Sequence, residues 1–388
     1  MSTPGLGERL QSTRKRRGLT QRELAQLAGV SLSLVRKLEQ GDREDTRVET
    51  LRKLAIALRV TTAELITGPE PEEPGTGDQW TAVRDAIMGR PMPEPDEEPT
   101  VSGVERALHE VTLLYPQTRY AEVGEAIPAL LRDADALGSE GRALQSRAYR
   151  LAGRLMVQTR QYGAAETAFA RAVDIAPDRL DAAAVINARC WLLVRRGMMG
   201  ECVELAAQWA DEMEPRLSRA TLAELHAWGL LLLGISAAAV RNNQPGEAED
   251  ALRLAAAASA AIGREYASPA DYETTFGALR VAMMRAENAM VEDRPDRVLA
   301  IAERVAHMPT QRPNSASRNR HRLDVAKAHV RLRRYGDAFE VLQDIRRKAP
   351  EWIVNQRMAR DVMGDIVARR RTLTPEMREM ADFIRLEY

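Results

Sequence analysis

Arginine is the residue type best placed to do chemistry in this sequence. Arg147, Arg150 and Arg154 recur one turn apart along a segment with helical periodicity. A planar guanidinium donates two parallel N–H groups to a carboxylate, so such a row suits a terminal carboxylate or another oxyanion. A second basic run, Arg14 to Arg17, suits either solvation or non-specific attraction to phosphate. Enzymatic chemistry finds little support. The histidines are His109, His226, His307, His321 and His329. None lies four residues from another or beside a cysteine, so no zinc site is expected. Neither a G-x-x-x-x-G-K-[ST] loop nor a G-x-G-x-x-G turn after a strand occurs. The paired carboxylates Glu97 and Glu98 fall in a Pro-rich stretch, where no pocket shifts their ionisation. The chain reads as a non-enzyme with no cofactor and no metal.

The elements that must carry these residues are helices. Hydrophobic residues make up 45% of the 388 positions and aromatics only 4%. The apolar mass is mainly Ala, Leu, Val and Met, which suits close helix–helix packing. No strand is expected, because alternating runs of Val, Ile and Thr are missing. Formal charge is zero overall but uneven along the chain. Residues 1–68 hold 13 Lys and Arg against 8 Asp and Glu; residues 69–100 hold 2 against 9. The latter stretch contains Pro69, Pro71, Pro74, Pro91, Pro93, Pro95 and Pro99, and so reads as an acidic linker broken by one amphipathic turn, Trp80–Met88. Residues 101–388 read as helix after helix with short Gly, Pro and Asn breaks. Cys190 and Cys202 read as small core residues. No signal peptide precedes the first helix, and the apolar stretch Leu230–Val240 is too short to span a bilayer. A cytoplasmic protein with reduced thiols and no membrane partner is expected.

In the basic zone, Leu6, Leu10 and Arg14 mark a first amphipathic helix ending near Gly18. Thr20 with Glu23 three residues on is a capping box. It opens a helix carrying Leu24, Ala25, Leu27 and Ala28. Gly29 follows, where a tight turn needs positive φ. Ser31 caps a third helix, Leu32–Gln40. A fourth, Val48–Leu58, precedes a last turn with Leu65 and Ile66. The text "RKRRGLTQRELAQLAGVSLSLVRKLEQGDR" followed by "ETLRKLAIALRVTTAELI" resembles the lambda-repressor-like, Xre-type helix-turn-helix family. That resemblance implies a five-helix DNA-binding domain over 1–68 whose third helix enters the major groove. It implies base-edge contacts from Leu32, Ser33, Arg36 and Lys37, with Arg36 or Lys37 donating to guanine and Leu32 meeting a thymine methyl. It also implies phosphate contacts from Gln21, Arg43 and Arg47, with Ser31 at the helix start.

In the third zone, Tyr149, Ala152, Gly153, Met156, Tyr162, Ala165, Phe169, Ala172 and Pro177 take the offsets of a tetratricopeptide repeat. "RRYGDAFEVLQDIRRKAP" at 333–350 parallels "RQYGAAETAFARAVDIAP" at 160–177. Degenerate copies between them break at Arg196-Gly197, Asn242–Gly246 and Asp293–Pro295. The fold expected is therefore all-α: a five-helix lambda-repressor-like domain followed by a tetratricopeptide-like helical solenoid over 101–388. The concave face of such a stack is lined by the first helix of each pair. It should present Arg147, Arg150, Arg154, Asn187, Trp191, Arg280, Met283, Glu287, Arg320 and Lys327. The Met198-Met199 and Met283-Met284 pairs also suit plain core filling. The whole arrangement resembles bacterial regulators that join an Xre-type domain to tetratricopeptide repeats, among them peptide-sensing regulators of Gram-positive bacteria. The resemblance implies a homodimer, an inverted-repeat operator of double-stranded DNA, and a short signalling peptide as effector. A docked protein partner, or oligomerisation alone, remains an open alternative for the solenoid.

Overall fold

The computed structural model describes residues 6–41, 48–58, 60, 65, 79–91, 93, 97–310, 315–369 and 372–386. The fold is all-α apart from one short hairpin. At the N-terminus lie α1 (Leu6–Arg16), α2 (Gln21–Ala28), α3 (Leu32–Glu39) and α4 (Val48–Leu58). Their bounds follow local chemistry. The Thr20 hydroxyl accepts the Glu23 N–H at 3.1 Å, and the Glu23 carboxylate accepts the Thr20 N–H at 2.6 Å, closing the expected box. Gly29 ends α2 at φ 63°, a left-handed conformation that side chains resist. Ser31 accepts the Leu34 N–H to start α3. Leu10, Leu24, Val35, Leu38, Leu54 and Leu58 form the core of this head. Of the expected fifth turn only Leu65 is described, and it is buried in that core.

Arg14 departs from the solvated or phosphate-attracting role expected for the run Arg14 to Arg17. Its guanidinium is buried and grips Glu39 at 2.6 and 2.8 Å through two nitrogens, while the third donates to the Leu19 carbonyl. The pair ties α1 to the end of α3.

The solenoid follows. It comprises α5 (Thr81–Ile87), α6 (Val101–Leu114), α7 (Tyr120–Ala136), α8 (Arg142–Gln158), α9 (Tyr162–Asp174), α10 (Arg179–Arg196), α11 (Met199–Glu212), α12 (Leu222–Arg241) and α13 (Pro245–Ile262). After the hairpin β1 (Tyr266–Ser268) and β2 (Asp271–Phe276) come α14 (Ala278–Val291), α15 (Pro295–Ala306), α16 (Ala316–Arg331), α17 (Tyr335–Lys348), α18 (Pro350–Ile353), α19 (Arg357–Arg369) and α20 (Pro375–Phe383). Among the described residues, six of the helix pairs turn by the same device. Thr118, Arg160, Gly197, Asn243, Asp293 and Arg333 each sit at positive φ, between 57° and 84°. The next N–H in each turn bonds five residues back, as in Gln161 to Met156 and Arg334 to His329. This is the Schellman closure, which satisfies carbonyls the helix end leaves open.

Two expectations need revision. The stretch α5 is no linker turn: Trp80, Val83 and Ile87 are buried in the core of the first repeats. Strands do occur, as β1 pairs antiparallel with β2. The hairpin's Phe276 packs so closely on α12 that a Cβ at Gly229 would lie 2.2 Å from its ring. Helix α12 is also longer than the apolar stretch read from the sequence. By length and composition it is able to cross a membrane, and 89% of its apolar window is buried among its neighbours. Cys190 and Cys202 are free and buried there, with the Cys202 thiol donating to the Cys190 carbonyl at 3.4 Å.

Candidate functional site

The first candidate surface is α3. Ser33, Arg36 and Lys37 are exposed, and their i, i+3, i+4 spacing places them on one face of the helix. The opposite face, Val35 and Leu38, anchors it in the head core. Leu32 is partly buried against that core. Ser31 is exposed with its oxygen engaged in the cap. The Gln21 amide donates to Glu39 at 2.8 Å. One network thus holds Gln21, Arg14 and the α3 end together. Arg43 and Arg47 lie outside the described residues.

The second candidate is a cavity of about 270 Å3 inside the superhelix. Helices α8, α10, α12, α14, α16 and α19 all contribute to its wall. Seven of the ten residues expected on the concave face line it: Arg154, Asn187, Trp191, Arg280, Glu287, Arg320 and Lys327. The other three do not, for definite reasons. Arg147 is turned to Asp181 at 2.7 Å on α10. Arg150 is buried against Glu273 at 2.8 Å and also bonds the Ala270 carbonyl. Met283 packs into the core beside Met290 and Val298. Arg154 reaches the wall but is itself committed, donating to Thr274 at 2.7 Å with its guanidinium over the Tyr115 ring. The arginine row of α8 is therefore chiefly a clamp that holds the β hairpin and α10.

Glu287 is the electrostatic centre of the wall. It pairs with Arg241 and lies 3.5 Å from Arg320. Burial pushes its carboxyl up, but Arg320 and Arg241 outweigh that and hold it at about 2. Asp324 lies 3.6 Å from Arg320, yet burial dominates and raises it to about 6. Arg195, Arg241 and Asp324 were not anticipated. Arg195 follows Asn187 and Trp191 at four-residue steps, and Asp324 follows Arg320 by four, so helical spacing was the available signal.

Helix α1 of the head closes over this region. Ser12 donates to the Arg196 carbonyl at 3.1 Å and Lys15 to Asn242 at 2.7 Å, while Arg17 pairs with Asp361 on α19. Arg17 and Gly18 form part of the cavity wall.

Comparison with known proteins bears on the head. Residues 10–65 match the Helix-turn-helix family HTH_3. The N-terminal domain is a helix-turn-helix domain of Xre type. The HTH-type transcriptional regulators PuuR of Escherichia coli (strain K12) and Shigella flexneri are each 38% identical to it over 77 residues. That match covers 19% of this chain and 41% of theirs, so the chain spans less than half the length of these relatives. Among solved structures, Bacillus thuringiensis PlcR in complex with the peptide PapR7 and DNA aligns with a TM-score of 0.39 at 14% identity. The alignment covers 79% of this chain and 100% of that one.

Proposed function

We propose that this protein is a DNA-binding transcriptional regulator whose solenoid takes an effector in its concave cavity. The observation that carries the reading is the exposed Ser33–Arg36–Lys37 face of α3, held outward by a helix-turn-helix core. A helix presented in this way fits the major groove, where Arg or Lys meets guanine O6 and N7 and Ser meets a base or phosphate. Gln21, Ser31, Leu32, Arg43 and Arg47 are assigned to the flanking contacts. Two heads in a homodimer would read an inverted repeat. The division into a DNA-binding head, a connector and an effector-binding solenoid belongs to the same proposal.

For the effector, a short signalling peptide is the reading favoured. Its support is the cavity itself, which mixes Trp191 and Met290 with guanidinium groups and the amide of Asn187. A volume near the lower end of ligand pockets, ~300–1,000 Å3, fits the end of a peptide or a molecule of similar size. Because Arg17 and Gly18 belong to the wall, an occupant that favours another placement of α1 shifts the heads. The shift is limited to its difference in affinity for the two placements.

The test is Arg36→Ala with Lys37→Ala in the full chain. Specific operator retardation should weaken by about 30-fold or more, at ~1–3 kcal/mol per base contact, with an unchanged circular dichroism spectrum. Operator binding at the original affinity overturns the assignment.

A further inference from the structure

The cavity wall carries more positive charge than its carboxylates answer. Arg195 on α10, Arg241 on α12, Arg280 on α14 and Arg320 and Lys327 on α16 face it together with Glu287 and Asp324. Glu273 and Asp361 also line the wall, and all four acids are engaged: Glu273 by Arg150, Asp361 by Arg17, Glu287 by Arg241 and Arg320, and Asp324 by Arg320. Among the described residues, no carboxylate comes within the 4.0 Å of an ion pair to Arg195, Arg280 or Lys327. Arg195 makes one neutral hydrogen bond, donating to Gln356 at 3.2 Å. Arg280 lies over the Trp191 indole, 5.6 Å from its centre, and its buried Nε has no hydrogen-bond partner.

A recessed cation without a counter-charge is costly. Lysine relieves that cost by losing its proton; arginine in a protein does not. Burial lowers the affinity of Arg195, Arg280 and Lys327 for their protons, and it outweighs the longer-range pull of Glu287 on the two arginines and of Asp361 and Asp324 on the lysine. The cation–π contact with Trp191 restrains the Arg280 guanidinium at the wall. Beside this group stands Asn187, only 2% exposed, with neither its amide nitrogen nor its amide oxygen hydrogen-bonded. A buried amide left open on both sides is rare, because each unmet group costs ~1–3 kcal/mol. It offers one donor and one acceptor to an amide of the opposite polarity.

We infer that Arg195 and Arg280 form an anion subsite that takes a carboxylate of the effector, with Asn187 holding an adjacent amide. This rests on the reading above that the cavity binds an effector, and it narrows that effector to one bearing a carboxylate next to a peptide-like group. The carboxylate accepts two N–H groups from the Arg280 fork and one from Arg195, and Lys327 adds long-range attraction.

The probes are N-acetyl-dialanine with a free carboxylate, the same peptide as its C-terminal amide, the side-chain acid N-acetyl-aspartyl amide, and inorganic phosphate. Each is titrated calorimetrically into the full chain, and operator retardation is measured in parallel. A free carboxylate should bind at least tenfold more tightly than the amide, and Arg280→Gln or Arg195→Gln should abolish that ratio. Preference for the terminal acid or for the aspartyl acid identifies the source of the carboxylate. Without any ligand, Arg280→Gln should melt no lower than the natural protein, since it removes an unpaired buried charge. A marked loss of Tm, or failure to fold, would mean that Arg280 is structural and overturns the subsite. Equal binding of acid and amide to the natural protein overturns it independently, and so does binding of phosphate alone. If the acid binds through these arginines while operator affinity never changes, the subsite stands and the effector reading fails.

Discussion

The head and the solenoid use charge in opposite directions. In the head, Ser33, Arg36 and Lys37 point outward from a closed apolar core, and the buried ion pair, Arg14 with Glu39, is fully engaged. In the solenoid, charge points inward: Glu287, Asp324 and the surrounding cations are recessed in a cavity, and several of their polar atoms lack partners. The contrast fits the ligands proposed for each surface. A rigid polyanion such as DNA comes to a convex helix and brings its own charge, so the protein keeps its basic groups solvated until contact. A small effector must be enclosed to be recognised, and enclosing it strips water from every group around it. The head is therefore internally satisfied when empty, whereas the cavity holds unmet polar groups.

That comparison breaks most sharply at Arg14. Arg14→Ala leaves the buried Glu39 carboxylate without its cation and with only the Gln21 amide as a remaining side-chain partner, which costs about 3–5 kcal/mol. The head's unfolding transition should drop well below that of the solenoid in a thermal scan, with the solenoid midpoint unmoved. An unchanged head transition would mean that the pair contributes little and that the head is not the internally satisfied half described here.

The next effect lies in the solenoid and depends on pH. His321 is buried, and that burial, with Arg318 nearby, pushes its imidazole down to about 4. Its folded value lies below the ~6.5 of an unfolded chain. Protonation therefore opposes folding: stability is complete above about pH 6.5 and is lost as pH falls toward 4, by on the order of 3 kcal/mol. Asp324, raised by burial to about 6, has the reverse sign, since its neutral form suits the fold and stability declines as pH rises from ~4 to about 6. His321→Gln should give a solenoid that gains stability on acidification from pH 6 to 4, and Asp324→Asn one that loses more than the natural protein. Parallel Tm profiles of both variants would contradict these assignments.

The smallest effect concerns the contact between the two halves. Lys15→Ala with Arg17→Ala removes the bonds to Asn242 and Asp361; Arg17 itself is mostly buried, but the Asp361 carboxylate it leaves behind is partly exposed and can be taken up by water, so the loss is about 1 kcal/mol per bond. Both melting transitions should stay in place while small-angle scattering reports a larger radius of gyration, the head being released from the cavity mouth. A constant radius would place the restraint elsewhere in α1.

Much of the head was legible because its decisive interactions are local. The Thr20–Glu23 box, the Gly29 turn and the Ser31 cap each involve residues within three or four positions, and each formed as read. The repeats with Tyr162 and Tyr335 were legible for the same reason. The turns at Asn243 and Asp293 fall in breaks the sequence shows, with residue types that tolerate a left-handed backbone; those at Arg160 and Arg333 were less legible, since nothing in an arginine side chain announces that conformation. The hairpin was hidden by its chemistry. In β2 the buried positions include Asp271 and Glu273 while Tyr272 is exposed, so the strand's hydrophobic alternation runs backwards. The acids face α8, where Arg154 and Arg150 meet them.

By itself the sequence determined where helices start and stop, which face of each is apolar, and that a helix-turn-helix core presents α3, because all of these are set within a few residues. The tertiary structure alone decided what the charged side chains with distant partners do. Arg150 and Glu273 are 123 positions apart, and Arg17 and Asp361 are 344 apart. Helical periodicity places a guanidinium on a face, but only the curvature of the superhelix determines whether that face meets a carboxylate, a hairpin or an open cavity.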